Sequence, residues 1–299
     1  MGTTFKIAYL RFLQRIGKTS LIAESVFGFP YRISLGDTFS ENPFYNPYSN
    51  VGEVLATAAW VCDEKRPVLY DIGGHCGFVA SQLAQLLKDN DPIIYSFEPV
   101  APTFSDLMHT VNDLSLQHYI HPVAVALSDD VGFVKLNYSK WNSMLAQVIP
   151  EGETSNQRSG SEIYIASSQQ LDAFLPVSGH PHVIKIDVEG WEVHVLKGAA
   201  TMWGQQTHQY TGICLEWNPQ ALMDTGSSIQ EFYKFFIDYR FFYLNDYEGQ
   251  RLPELHEVTN PSEIKHVCNM FAVHKTSLQV SRWKENYEKL KNQYRVRVG

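Results

Sequence analysis

The 299-residue chain lacks any apolar run of about 18 residues, so no transmembrane helix is expected. It is poor in cysteine. Cys62, Cys76, Cys214 and Cys268 are widely spaced and form no C-x-x-C pair. That excludes a disulfide framework or a thiolate zinc site and fits a reducing, cytoplasmic setting. Basic charge is not in excess: the formal net charge is −8, which speaks against a general nucleic-acid groove. There is no internal repeat and no low-complexity tract. The dinucleotide fingerprint Gly-x-Gly-x-x-Gly is also missing.

What is present suffices for a sizeable core. Hydrophobic residues make up 44% of the chain, ordinary for a globular protein. The length allows about two domains, or one α/β domain with additions. Residues 1–25 read as a basic helix with Phe5, Ile7, Leu10, Phe12 and Ile16 on an apolar period. Arg11 and Arg15 interrupt any signal-peptide core, and Lys6 stands where a myristoylation motif wants Ser or Thr. The stretch is expected to dock on the fold or on a second subunit, hence a possible homo-oligomer, in preference to membrane attachment. Residues 36–50, rich in Asn, Pro and aromatics, read as a loop that could cover a ligand.

The chain is organised around Val68-Leu69-Tyr70-Asp71-Ile72-Gly73-Gly74-His75-Cys76-Gly77-Phe78. An apolar run ends in an acid, meets a glycine turn and becomes helical. This is strand, turn, helix, the first unit of an α/β sheet. Gly73 and Gly74 lack a Cβ, so backbone can approach a ligand there, and the helix start offers free N–H groups. An acid before the turn suits a cationic ligand end better than a pyrophosphate. Further strands are expected over 93–98, 120–127, 131–138, 163–166, 183–187, 211–216, 241–244 and 270–273. Four of the strands end in acids: Asp71, Glu98, Asp187 and Glu216. In open α/β sheets the ligand lies outside the carboxyl ends, where an acid such as Glu98 can accept both ribose hydroxyls of a nucleoside.

The chain resembles the FkbM family of S-adenosylmethionine-dependent methyltransferases. The matching segments, in the family's order, are Asp71 to Gly77, Phe97-Glu98-Pro99, Val125 to Asp129, and above all Ile184-Lys185-Ile186-Asp187-Val188-Glu189-Gly190-Trp191-Glu192. The resemblance covers roughly residues 65–275. It implies a Rossmann-like class I methyltransferase fold, with a seven-stranded, mostly parallel sheet, a terminal antiparallel hairpin and helices on both faces. It divides the chain into an N-terminal extension and lid (1–64), a methyltransferase domain (65–275) and a C-terminal helix (276–299). It also implies S-adenosylmethionine as cofactor, with Gly73, Gly74 and Gly77 near its methionine part, Asp71 near its ammonium, Glu98 on the ribose and Ser128 on the adenine side.

Methyl transfer to an oxygen needs alignment and removal of a proton. Asp187 and Glu189 bracket the strand end that faces the methyl group and are the expected catalytic pair. Glu189 and Glu192 can equally favour the start of the next helix. His75, His182 and His194 are other possible bases. Glu216 and Trp217 are expected to meet the acceptor, and Trp141 and Trp191 could also offer stacking faces. Glu216 with Asp187 makes a carboxylate pair without a third ligand, so no metal is expected. The acceptor is expected to be a small molecule or glycan hydroxyl. A nicotinamide-dependent oxidoreductase and a non-catalytic module of the same fold remain alternatives.

Overall fold

The computed structural model describes residues 3–139, 143, 146–150, 162–204, 210–244, 254–259 and 264–295. Residues 150–161, whose Pro, Gly, Ser and Asn content reads as an exposed loop, lie almost wholly outside the described residues, as does Trp141. Helix α1 (Thr3–Arg15) leads into a hairpin of β1 (Ser20–Glu24) and β2 (Pro30–Ser34), then α2 (Thr38–Tyr45) and α3 (Val51–Val61). An alternating stretch follows: β3 (Val68–Ile72), α4 (Phe78–Leu86), β4 (Ile93–Phe97), α5 (Ala101–Asp113) and β5 (Ile120–Val123). Four strands then form a small separate sheet: β6 (Ala126–Leu127), β7 (Gly132–Tyr138), β8 (Gln147–Ile149) and β9 (Glu162–Gln169). The chain returns through α6 (Leu175–Ser178), β10 (Val183–Ile186), α7 (Glu192–Lys197), α8 (Ala200–Gly204) and β11 (Gly212–Trp217). It ends with α9 (Pro219–Asp224), α10 (Ile229–Phe235), β12 (Tyr239–Leu244), β13 (Leu255–Val258), β14 (Cys268–His274) and α11 (Val280–Arg295).

The main sheet runs β13-β12-β14-β11-β10-β3-β4-β5. From β11 to β5 the neighbours are parallel, and β14, β12 and β13 add antiparallel strands. It has eight strands where seven were expected, because the polar segment β13 pairs along the edge of β12. Successive residues of a strand face opposite sides. Leu69, Ile94, Val183, Cys214 and Phe271 therefore meet α3, α4 and α11 on one face. Tyr70, Ile72, Ile184, Ile186, Ile213 and Met270 meet residues of α7 to α10 on the other. Both faces are covered, as a largely parallel sheet requires. Every residue of α3 is buried, and Trp283 of α11 donates its indole N–H to Ala56 O at 2.9 Å.

Three expectations need correction. Residues 1–25 are not one helix. Gly17 takes φ 82° and Lys18 N bonds back to Leu13 O at 3.0 Å, a glycine-based helix stop. Residues 36–50 are not all loop, for they contain α2. Asp37 caps it by accepting from Phe39 N, which offsets the hydrogen bond that Pro43 cannot donate. The single strand expected over 120–127 is two. Val125 N bonds to Val123 O at 3.0 Å, and this tight turn sends β6 to pair with β9 in the small sheet.

Candidate active site

The site lies at the carboxyl edge of β4, β3, β10 and β11. Register puts Ser96 beside Asp71 and Asp71 beside Lys185, one polar row across three strands. Ser96 Oγ donates to Asp71 Oδ2 at 2.8 Å. Lys185 Nζ stands 3.3 Å from Asp71 Oδ1 and 3.4 Å from Asp187 Oδ2, and it donates to Gly73 O at 3.0 Å. Burial alone would lower the pKa of this ammonium, but Asp187, Asp71 and Glu53 hold it above its ordinary value. The row fixes the turn. Asp71 is 1% exposed and serves the turn from behind, not the cavity in front of it. Lys185 was given no role in the sequence reading. A lone cation inside the buried run Val183-Ile184-Lys185-Ile186 was the signal for it.

Gly73 has φ 80°, and a Cβ there would lie 1.8 Å from the carbonyl oxygen of Asp187. The glycine is required by close approach of the next strand's end, rather than only by a ligand. Gly74 likewise packs on Ser96 Oγ, and Gly77 on Leu107.

A cavity of about 720 Å³ opens in front of the turn. Gly73, His75, Glu98, Asp187 and Glu189 supply its polar wall, and Val125, Leu127, Leu136, Val148 and Trp191 its apolar wall. The Glu98 carboxylate accepts from His75 N at 3.1 Å and from Val100 N at 2.8 Å. Burial pushes its pKa up to about 7. Ser128 is buried and does not line the cavity. Its hydroxyl accepts from Trp191 Nε1 at 3.2 Å and donates to Asp129, so it holds a wall residue in place. Trp191 stacks on His194 at 3.6 Å, and His194 Nδ1 lies 2.9 Å from Asp129.

Asp187, Glu189 and Glu216 come together, with one oxygen from each inside a mutual distance of 4.8 Å. The fold thus supplies the third carboxylate that the sequence reading did not find, a donor set suited to a hard cation. Glu189 reaches the cluster with a left-handed φ of 54°. Burial, reinforced by Asp187 and Glu192, raises its pKa to about 8, and Glu216 is raised well above its ordinary value by burial and the same carboxylates. Glu192 turns back on its own helix start and accepts from Gly190 N at 3.1 Å. Burial raises its pKa to about 7. Glu192, not Glu189, is the helix-start residue.

A pH dependence of stability follows. Glu98, Glu189 and Glu192 keep protons in the folded state that the unfolded chain loses near 4.5, so stability falls as pH rises from about 4.5 to about 8. His75, whose pKa burial lowers below 6.5, contributes the opposite sign, but as one group against three. Thermal denaturation should show the midpoint falling between pH 5 and 8, with a shallower fall for Glu189→Gln. A midpoint that climbs over that range would contradict these shifts.

Of the three candidate histidines, only His75 faces the cavity. His182 Nδ1 accepts from Val68 N at 3.1 Å and serves the start of β3. His194 sits behind Trp191. The His75 ring bonds through Nε2 to Ser143 Oγ, which donates to Asp37 Oδ2 at 2.6 Å, and Phe39 meets the ring edge-on at 4.6 Å. Asp37 and Phe39 lie in the 36–50 stretch expected to cover a ligand, though neither was singled out, and nothing local marks Ser143. Trp217 is placed in the core, not at an acceptor site. It is 1% exposed, packs on Phe232 and Tyr233, and donates its indole N–H to Ile264 O at 2.7 Å.

The family model described as the methyltransferase FkbM domain matches residues 71–243. No curated protein matches the chain. Among solved structures, a methyltransferase FkbM from Methylobacillus flagellatus KT is similar with 14% identity and a TM-score of 0.41. The match covers 70% of this chain and 44% of that one, so less than half of that protein's length is spanned. M. jannaschii TYW2, in complex with AdoMet, shows 11% identity and a TM-score of 0.36, over 86% of this chain and 87% of that one. A SAM-dependent O-methyltransferase from Thermotoga maritima shows 10% identity and a TM-score of 0.38, over 86% and 78%.

Proposed function

The chain belongs to the FkbM methyltransferase family, whose members depend on S-adenosylmethionine, and from that premise we propose that it methylates a hydroxyl oxygen on a sugar, glycan or hydroxylated metabolite. The observation that carries this reading is the acidic pair Asp187 and Glu189 in the cavity wall, with Glu216 beside them. The ammonium of Lys185 is already paired with Asp187 and Asp71. Among the described residues, the cavity lining holds no Lys or Arg to meet a pyrophosphate, which argues against a nicotinamide dinucleotide. The residues fit the cofactor in other respects. Each Glu98 oxygen accepts one backbone N–H and keeps a lone pair for a ribose hydroxyl. The apolar wall from Val125 to Leu127, with Trp191, suits a flat base.

S-adenosylmethionine, when bound, supplies a methyl group already activated on a sulfonium. The protein's share is alignment and proton removal. Asp187, held in place by Lys185, orients the acceptor hydroxyl. A Glu189 carboxylate oxygen takes its proton, since a base with a pKa near the working pH combines availability with driving force. Phe39 of α2 covers the cavity from the N-terminal side. Screening sugars and hydroxylated metabolites for S-adenosylhomocysteine release, followed by NMR of the product, tests the reading. A new methyl ether is expected. A methyl group found on nitrogen or carbon would overturn the choice of acceptor atom.

A further inference from the structure

Helix α1 presents three different sides. Leu10 is buried, and Lys6 Nζ donates to Phe44 O at 2.6 Å, so one side is tied to α2. A second side is apolar and open. Phe5, Tyr9, Phe12 and Ile16 recur at helical spacing and are 59%, 38%, 56% and 56% exposed. Ile16 still belongs to the turn, since its amide bonds to Phe12 O at 3.2 Å. At 3.6 residues per turn Arg11 and Arg15 fall across the helix from Lys6, with Lys18 just past the glycine stop; all three are exposed, and Arg11 also lies near enough to feel the Glu41 carboxylate of α2. Residues 1–18 contain four cations and no acid, in a chain whose net charge is −8. The expected docking on the fold is thus found for Leu10 and Lys6 but not for the Phe5–Ile16 strip.

We propose that this face binds the surface of an anionic lipid bilayer, with the Phe5–Ile16 strip at the boundary of headgroups and acyl chains and the Arg11–Lys18 row among the phosphates. A polar face of Lys and Arg beside a strip of aromatic and aliphatic residues is the pattern of an interfacial helix. Charge complementarity decides the occupant. A two-fold pairing with a second copy would set cation against like cation, whereas anionic headgroups neutralise the row. The acidic remainder of the protein is repelled by the same surface, so only this end approaches it. The binding is peripheral, for no described helix is long and apolar enough to cross a membrane. Through Lys6 and Phe44 the anchored helix is joined to α2, which supplies Phe39 to the cavity. The inference does not depend on the nature of the methyl acceptor.

Co-sedimentation of the full chain with phosphatidylcholine vesicles, with and without phosphatidylglycerol, tests it. Binding is expected only with phosphatidylglycerol, and added salt should reverse it. Arg15→Gln should weaken partitioning about fivefold, and Phe12→Ser about tenfold or more. Both side chains are exposed, so the melting temperature should not change. Absence of binding to anionic vesicles, equal binding to both lipids, or variants that partition like the parent would overturn the proposal. So would light scattering that shows a dimer reduced to a monomer by Phe12→Ser, with no vesicle binding, because the face would then belong to a second copy.

Discussion

Gly73→Val should yield a protein that is less stable by about 3 kcal/mol and no longer binds S-adenosylmethionine. Two costs combine. Gly73 sits at φ 80°, where a residue with a side chain is strained by about 1–2 kcal/mol and a β-branched one by more. Its Cβ would also stand 1.8 Å from Asp187 O and 2.9 Å from Asp187 C. These are backbone atoms at the end of β10, and they cannot swing aside as a side chain would. Overpacking of this kind costs about 1–3 kcal/mol. Relief requires the loop from Asp187 to Gly190 to move, and with it the carboxylates of the cavity's inner end. Denaturant unfolding together with calorimetric titration would measure both effects. A Gly73→Val protein with the parent's stability and cofactor affinity would show that the approach of the turn to β10 is not what keeps the site in shape.

Asp187→Asn should lower turnover by about a hundredfold, the scale for misplacing an aligned acceptor, while cofactor affinity stays near that of the parent. The substitution preserves size but removes the charge 3.4 Å from Lys185 Nζ. Lys185 retains Asp71 at 3.3 Å, so the turn survives with a modest loss of stability. The acceptor, in contrast, loses the carboxylate that orients its hydroxyl. An interaction used only as the reaction proceeds affects kcat rather than binding. Glu189→Gln should also slow transfer, with a change in the pH profile because the group with a pKa of about 8 is gone. Full turnover in Asp187→Asn would mean that another group orients the acceptor hydroxyl, with His75 the next residue to replace.

The parts of this site that could be read from the chain are those whose signal is local. The apolar runs Val68 to Ile72 and Val183 to Ile186, the glycines that follow Asp71, and the acids at strand ends are each short, local signals, and they located the carboxyl edge. What could not be read depends on distant segments meeting. The Lys185 pairing with Asp71 joins residues 114 positions apart, and Ser143 with Asp37 joins residues 106 apart. The strands over 131–138 and 163–166 were expected, but not their pairing as β7 and β9 within the four-stranded small sheet. Trp217 shows the opposite failure. A tryptophan at a strand end looked available to a substrate, but α10 packs Phe232 and Tyr233 against it. Glu189 joined Asp187 and Glu216 through a left-handed backbone conformation that no local pattern announces.

The most direct test of the cavity as a cofactor site is a calorimetric titration of S-adenosylhomocysteine into the parent protein and into Glu98→Ala. One molecule should bind per parent chain, and Glu98→Ala should weaken binding by about 1–3 kcal/mol, the scale for losing a charged hydrogen-bond partner. Equal affinity of the two proteins, or no heat with the parent, would place the cofactor outside this cavity.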